Sequence, residues 1–317
     1  MRPRFTGCGT ALVTPFTRTG ALDEAAIRRL AKRQIDGGVH FLVPCGTTGE
    51  NPTLTRAEHR RVVELVIEEA NGRVPVLAGA GGYDTRDIIE LAAEMQQLGA
   101  DGILSVTPYY NKPTAEGLYQ HFRAIAERMR LPMVVYNVPG RTGCNVDPAT
   151  LARLATIPNV VGVKEASGNI AQVCEVCHLL PDSFIVLSGD DPLTLPMMAV
   201  GAKGVISVAS NEVPREMAKM VEAAERNDFA AARGMHAQLL PLMQVNFVES
   251  NPIPVKAAMA AMGLIEEAYR LPMVPPKPES REKILKVLRE LQLLAMPGSE
   301  AAPQAAGNEV PAAHLRY

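Results

Sequence analysis

Short apolar runs alternate with stretches of helical period along most of the chain, and this alternation narrows the possible folds more than any other feature. Eight runs have strand length and strand composition: Thr10 to Thr14, His40 to Pro44, Val74 to Ala78, Gly102 to Thr107, Met133 to Asn137, Val160 to Lys164, Ile185 to Ser188 and Gly204 to Val208. Continuous apolar runs bounded by turn residues suit parallel strands covered on both faces. Helix starts lie between them. Thr55-Arg56-Ala57-Glu58 reads as a capping box ahead of Val62, Leu65 and Val66, and Asp147-Pro148 as an N-cap with proline at the first helical position. Gly37-Gly38, Gly72, Gly99 and Gly201 fit the helix ends. Eight such units within about 230 residues predict the α/β class and a (β/α)₈ TIM barrel, with a doubly wound sheet as the alternative. Beyond residues 1-230, the stretches Asp228 to Gln244, Pro254 to Met262 and Ser280 to Leu294 read as a C-terminal helical extension over 231-296. Residues 297-317, rich in Ala, Pro, Gly and Gln, read as a disordered tail.

Charge and composition exclude whole classes of function. A net charge of -2, with Lys and Arg scattered among the acids, offers no basic stripe, and 4% aromatics without Trp offer no stacking platform for bases, so no nucleic-acid partner is expected. The N-terminus lacks an apolar leader and no apolar stretch approaches the ~18 residues of a spanning helix, so no membrane association and a cytoplasmic location are expected. Five cysteines, at 8, 45, 144, 174 and 177, read as free buried thiols. Cys174-Glu175-Val176-Cys177-His178 matches a haem-attachment pattern, but Ile170, Val173, Cys174 and Cys177 recur at helical spacing as a core face, and no second Cys or His pair completes a zinc set. No metal is expected. Gly79-Ala80-Gly81-Gly82 reads as a βα loop, because Asp84 stands where a dinucleotide fingerprint needs its third glycine.

Lys164 ends the sixth run, Val160-Val161-Gly162-Val163-Lys164-Glu165. One reading is a snorkelling lysine paired with Glu165 at a strand end. The other is a nucleophile: burial disfavours the ammonium form and raises the share of neutral amine able to attack a carbonyl. A barrel carries its chemistry where strands run into the βα loops, and the remaining distinctive residues fall there. Gly46-Thr47-Thr48-Gly49-Glu50 follows the second run, either as a cradle for a carboxylate or as a turn. Thr107-Pro108-Tyr109-Tyr110-Asn111 follows the fourth, and the fifth runs into Tyr136-Asn137-Val138-Pro139-Gly140-Arg141. A tyrosine ending a strand reads first as a packed ring with a satisfied hydroxyl, whereas Arg141 on its Pro-Gly loop suits a substrate carboxylate. Ser188-Gly189-Asp190-Asp191 follows the seventh run, its aspartates expected in a solvated turn, and Ile206 lies on the eighth. A metalloprotease helix, a Walker loop and a serine elbow are all absent, which leaves covalent amine catalysis on a carbonyl compound and favours the nucleophilic reading of Lys164.

These motifs resemble the pyruvate-dependent Schiff-base aldolases. Thr107-Pro108-Tyr109-Tyr110-Asn111, Gly140-Arg141-Thr142-Gly143 and Asn251-Pro252-Ile253-Pro254-Val255-Lys256 resemble the dihydrodipicolinate synthase family within them, over about residues 5 to 295. The resemblance implies a homotetramer built as a dimer of dimers that condenses pyruvate with aspartate semialdehyde without a cofactor. Lys164 would form the imine. Tyr136 would shuttle protons, linked through Thr47 to Tyr110, which in the family reaches in from the neighbouring subunit. Thr48, Ile206 and Gly189 would hold substrate, with Arg141 on the carboxylate of the semialdehyde. Lysine-inhibited relatives place a Ser-Ala pair, two histidines, an asparagine and a glutamate at a regulatory site; this chain has Asn51, Pro52, Arg56 and Tyr83 in place of the pair, the first histidine and the asparagine, keeping His59, Tyr109 and an acidic Asp87. Weak or absent inhibition by lysine is expected. The rivals are an aldolase for sialic acid or a keto-deoxy sugar acid, which Arg141 argues against, and a non-catalytic pyruvate-binding paralogue, disfavoured because no catalytic position is missing.

Overall fold

All eight apolar runs contribute strands, and every strand pairing is parallel. The computed structural model describes residues 5–294, so the expected tail at 297-317 lies outside the described residues. The strands are β1 Gly7–Ala11, β2 Phe41–Val43, β3 Leu77–Gly79, β4 Gly102–Val106, β5 Met133–Asn137, β6 Val160–Glu165, β7 Ile185–Ser188 and β8 Gly204–Ser207. They form one sheet in the order β2-β1-β8-β7-β6-β5-β4-β3. A parallel bridge between Leu42 and Val76 joins the two ends and closes the barrel. The backbone there is paired by Leu42 N–H to the Pro75 carbonyl at 3.0 Å and Gly79 N–H to the Pro44 carbonyl at 2.9 Å. Closure removes the exposed sheet edges on which other chains pair.

The helices are α1 Glu24–Asp36, α2 Arg56–Ala70, α3 Thr85–Leu98, α4 Ala115–Ala126, α5 Pro139–Thr142, α6 Pro148–Leu154, α7 Ile170–Leu179, α8 Thr194–Ala199 and α9 Pro214–Glu225, followed by α10 Phe229–Val245, α11 Ile253–Ala261 and α12 Pro278–Glu290. Both sequence-predicted starts are present: Thr55 and Glu58 form a reciprocal capping box on α2, and Asp147 caps α6 with Pro148 at its first position. Gly99 ends α3 with φ +90°, a left-handed geometry that a side chain would strain. The architecture is a TIM barrel with a C-terminal helical part.

Two strands depart from expectation. Residues 12 to 14, read as strand, lie beyond β1: Leu12 N–H still donates to the Val43 carbonyl at 3.0 Å, but from there side chains take over, with Val13 N–H donating to Asn211 Oδ1 at 3.2 Å and Thr14 Oγ1 to the Gly49 carbonyl at 2.7 Å. β3 begins three residues later than its apolar run, because Pro75 and Val76 make the closing contacts instead.

Two apolar layers hold the barrel. One fills its interior, including Phe41, Val43, Leu77, Leu104, Val134, Ile185, Leu187 and Ile206, while Phe5 packs edge-on against Phe41 at 5.8 Å. The other lies between sheet and helices. Each fully buried aliphatic or aromatic side chain contributes roughly 1.5–3 kcal/mol of transfer free energy, so the two layers dominate stability.

β6 breaks strand periodicity. Met133 pairs with Val160, but Val134 pairs with Gly162, so Val161 is an extra residue. Val160 and Val163 both pack toward the helices although three residues apart, which regular alternation forbids, and Val161 packs inward. The bulge turns Lys164 into the barrel, level with Tyr136 on β5, and sends Glu165 to the outer face beside Asn137.

Candidate active site

Glu165 does not pair with Lys164. On the outer face it accepts hydrogen bonds from Asn137 Nδ2 at 2.9 Å, Ser167 N–H at 2.6 Å and Gln172 Nε2 at 3.2 Å. The strand-end ion pair considered for this lysine is therefore overturned, with the bulge as its cause. Lys164 is 5% exposed, its Nζ lies 4.1 Å from the centre of the Tyr136 ring, and its stem runs over Gly189. A Cβ at Gly189 would stand 3.0 Å from Lys164 Cε and 3.2 Å from Cγ, so glycine here leaves room for the side chain.

The barrel opens at this end into a cavity of about 340 Å³, lined by Thr47, Tyr136 and Arg141 together with Asn51, Pro52 and Tyr109. Tyr136 is buried, Thr47 half-buried, and Arg141 exposed at the rim. Arg141 was expected on a loop. It stands instead on the single turn α5, where Pro139 at the first position has its φ preset and gives up only an N–H that a helix start leaves free. Ile206 belongs to the apolar layer inside the barrel and does not line this cavity. Cys45 also lines the cavity, and burial pushes its thiol well above the usual range, which fits the expected core residue.

Thr48 is buried and its hydroxyl accepts from Asn251 Nδ2 at 3.0 Å, while the Asn251 carbonyl accepts from Arg141 at 3.2 Å. Asn251 thus ties the threonine loop to the arginine turn. Asn251 stands in a motif of the sequence but is not expected in the site from it; the dipeptide Asn251-Pro252 ahead of α11 is the available signal. Glu50 and Lys256, 206 residues apart in the chain, form an ion pair that no local sequence signal announces.

Asp191, expected in a solvated turn, is buried and accepts from the Val208 and Ala209 N–H groups, both at 2.9 Å. Burial raises its carboxyl above the ordinary range, opposed by the backbone donors and by Lys164. The β8 loop covers the turn, an arrangement no local signal announces. Asp190 is also raised, by burial first and then by Asp191.

Tyr110 does not enter the cavity of its own chain. It is 95% exposed on a left-handed residue, φ 71°. The proposed regulatory residues form a group beside the mouth. His59 Nδ1 bonds to Asn51 Oδ1 at 2.7 Å, and burial holds its imidazole down at about 4. Tyr83 meets Tyr109 edge-on at 5.3 Å. Arg56 is engaged by Asp87 at 3.3 Å and Glu94 at 3.2 Å.

Cys174 is exposed, not part of a core face, because α7 buries Val173 and Val176 and turns Cys174 outward. The glycines at and after the end of β3 serve close packing: a Cβ at Gly79 would fall 2.1 Å from the Cys45 carbonyl oxygen, and one at Gly81 2.4 Å from the Val106 nitrogen. Among the described residues, no group of three or more His, Cys, Asp or Glu is placed to hold a metal, and no helix is long and apolar enough to cross a membrane.

The dihydrodipicolinate synthetase family matches residues 4–291. A relative from Koribacter versatilis, named 4-hydroxy-tetrahydrodipicolinate synthase, is 55% identical over 289 residues, covering 91% of this chain and 96% of its own. The crystal structure of dihydrodipicolinate synthase from Aquifex aeolicus aligns with a TM-score of 0.90 at 45% identity, covering 91% of this chain and 99% of that one. A structure of DHDPS from Cyanidioschyzon merolae with lysine bound aligns with a TM-score of 0.90 at 38% identity, covering 92% and 100%.

Proposed function

The chain belongs to the dihydrodipicolinate synthetase family, and on that premise we propose that it is a 4-hydroxy-tetrahydrodipicolinate synthase condensing pyruvate with L-aspartate 4-semialdehyde. The unprotonated amine of Lys164 adds to the ketone carbon of pyruvate, and with one proton taken up water leaves, giving a cationic imine. The imine nitrogen is an electron sink, so the methyl group loses a proton to form an enamine, whose carbon attacks the aldehyde. The amine of the second substrate then adds at the imine carbon, closing the ring and releasing Lys164. The imine nitrogen takes up the electron pair when the methyl proton leaves and when the substrate amine adds, the aldehyde oxygen takes it up in the carbon–carbon bond step, and the scheme uses neither metal nor organic cofactor.

The observation that carries this reading is Lys164 buried inside the barrel against Tyr136 while its neighbouring carboxylate is held on the other face. Tyr136 moves the protons, with Thr47 lining the same cavity. Thr48, Gly189 and Ile206 shape the pyruvate end, and Arg141 at the rim takes the carboxylate of the semialdehyde. Tyr110 completes the proton path of a neighbouring subunit in a homotetramer made as a dimer of dimers; its exposure in one chain supports that assignment. The barrel, 1-230, carries the chemistry with the extension 231-296 packed on it, and the enzyme works in the cytoplasm. Inhibition by lysine is weak or absent, because the acid that faces a cationic effector is already engaged by Arg56.

Incubation with pyruvate and reduction with borohydride, followed by peptide mass spectrometry and an assay with aspartate semialdehyde, tests the scheme. An adduct on Lys164 and turnover are expected. Absence of the adduct refutes the imine, and an adduct without turnover supports the other aldolases or the non-catalytic paralogue.

A further inference from the structure

We propose that the buried ion pair between Glu50 and Lys256 positions the threonine loop 46 to 50 for the carboxylate of pyruvate, making α11 of the C-terminal part a working component of the site. The inference rests on the imine reading above.

Both side chains are essentially unexposed, 1% for Glu50 and 0% for Lys256. Desolvating two charges costs about as much as their attraction returns, so a pair this deep adds little stability over an apolar pair of equal volume. Its consequence is geometric. Glu50 is a non-glycine residue at φ 52°, a left-handed conformation that its surroundings must hold in place. The Lys256 ammonium holds it from below, donating to Glu50 and, at 3.2 Å, to the Thr14 carbonyl. Thr14 in turn donates its hydroxyl to the Gly49 carbonyl at 2.7 Å. The turn is closed by Gly49 N–H to the Gly46 carbonyl and Glu50 N–H to the Thr47 carbonyl, both at 3.1 Å. Ahead of α11, Asn251 fixes the Thr48 hydroxyl. The loop that presents Thr47 and Thr48 is therefore gripped twice from one C-terminal segment. The second Glu50 oxygen, Oε2, is buried without a hydrogen-bond partner, which leaves Lys256 as the main compensation for this carboxylate.

The pyruvate concentration giving half-maximal borohydride trapping, read beside the steady-state constants and the melting temperature, tests this in the full-length enzyme. For the charge-free pair Glu50→Gln with Lys256→Met, half-saturation and KM for pyruvate are expected to rise about tenfold or more, kcat at saturating pyruvate to stay within about threefold, and the melting temperature to hold within a few degrees. Glu50→Asp keeps the charge but withdraws it by one methylene; it is expected to raise KM with little change in kcat, and it serves if the double variant does not fold. Lys256→Arg, which retains charge and donors, is expected to recover most of the affinity. Half-saturation within about twofold of the unaltered enzyme in the folded variants overturns the inference while leaving the imine intact. Absence of any adduct in the unaltered enzyme overturns the imine reading and this inference with it.

Discussion

Replacing Gly189 by alanine tests how closely the reactive lysine is fitted. The Gly189 backbone lies outside the left-handed region, so alanine brings no conformational strain and acts through its methyl group alone. That methyl would sit 3.0 Å from Lys164 Cε, 3.2 Å from Cγ and 2.7 Å from the Ala166 Cβ. Carbon atoms settle at about 3.5–4.0 Å, so the lysine stem must retreat by roughly 0.5–1 Å. A reacting group misplaced by about 1 Å loses on the order of a hundredfold in rate, equivalent to about 2.7 kcal/mol. The contact with Ala166 adds an overpacking cost of about 1–3 kcal/mol to folding. Single-turnover borohydride trapping with pyruvate should slow by roughly thirty- to a hundredfold, with a lower melting temperature by calorimetry. Gly234 is the control: it lies exposed within α10 with open space around its Cβ position, and alanine there should stabilise by about 0.5–1 kcal/mol without altering trapping. Trapping within a factor of about two in a folded Gly189→Ala variant would refute the proposed fit.

Glu212 is fully buried, and burial pushes its carboxyl up from 4.5 to about 8. The folded form binds its proton more tightly than the unfolded chain, so this contribution to stability is complete below about pH 4.5 and is lost as pH rises toward 8. Glu212→Gln should flatten the decline in denaturant midpoint between pH 5 and 8, a change on the order of a few kcal/mol; an unchanged slope argues against the protonated carboxyl. Tyr136→Phe should keep the fold and lower kcat by about 10²–10⁴, and activity within tenfold of the unaltered enzyme excludes Tyr136 as the proton carrier. Millimolar lysine should leave the rate nearly unchanged, because Arg56 already occupies Asp87; strong inhibition in the same assay sinks that argument.

β5 and β7 fall where their apolar runs predicted because turn residues bracket both, whereas the first run was read too late in the chain. Leu12 and Val13 are buried like the strand residues, and apolar character alone does not separate a ladder from a buried loop held by Asn211. The site shows the same division. Lys164, Tyr136 and Arg141 announce themselves as chemically unusual residues at strand ends. Asp191 is concealed by a turn-like sequence and buried only because the loop after β8 folds over it, and Glu50 with Lys256 depends on closure between distant segments. Such pairs carry no local signal.

The extra residue in β6 can be understood as a phase shift. Side-chain orientation along a strand is a two-valued property, and the last two positions here are a cation and an anion of opposite use. Without the insertion the anion would face the substrate space and the cation the helices, with composition, length and mean hydropathy almost unchanged. What distinguishes a catalytic barrel from an inert one at this point is therefore an odd or even count, which substitutions elsewhere in the strand leave intact and a single deletion reverses.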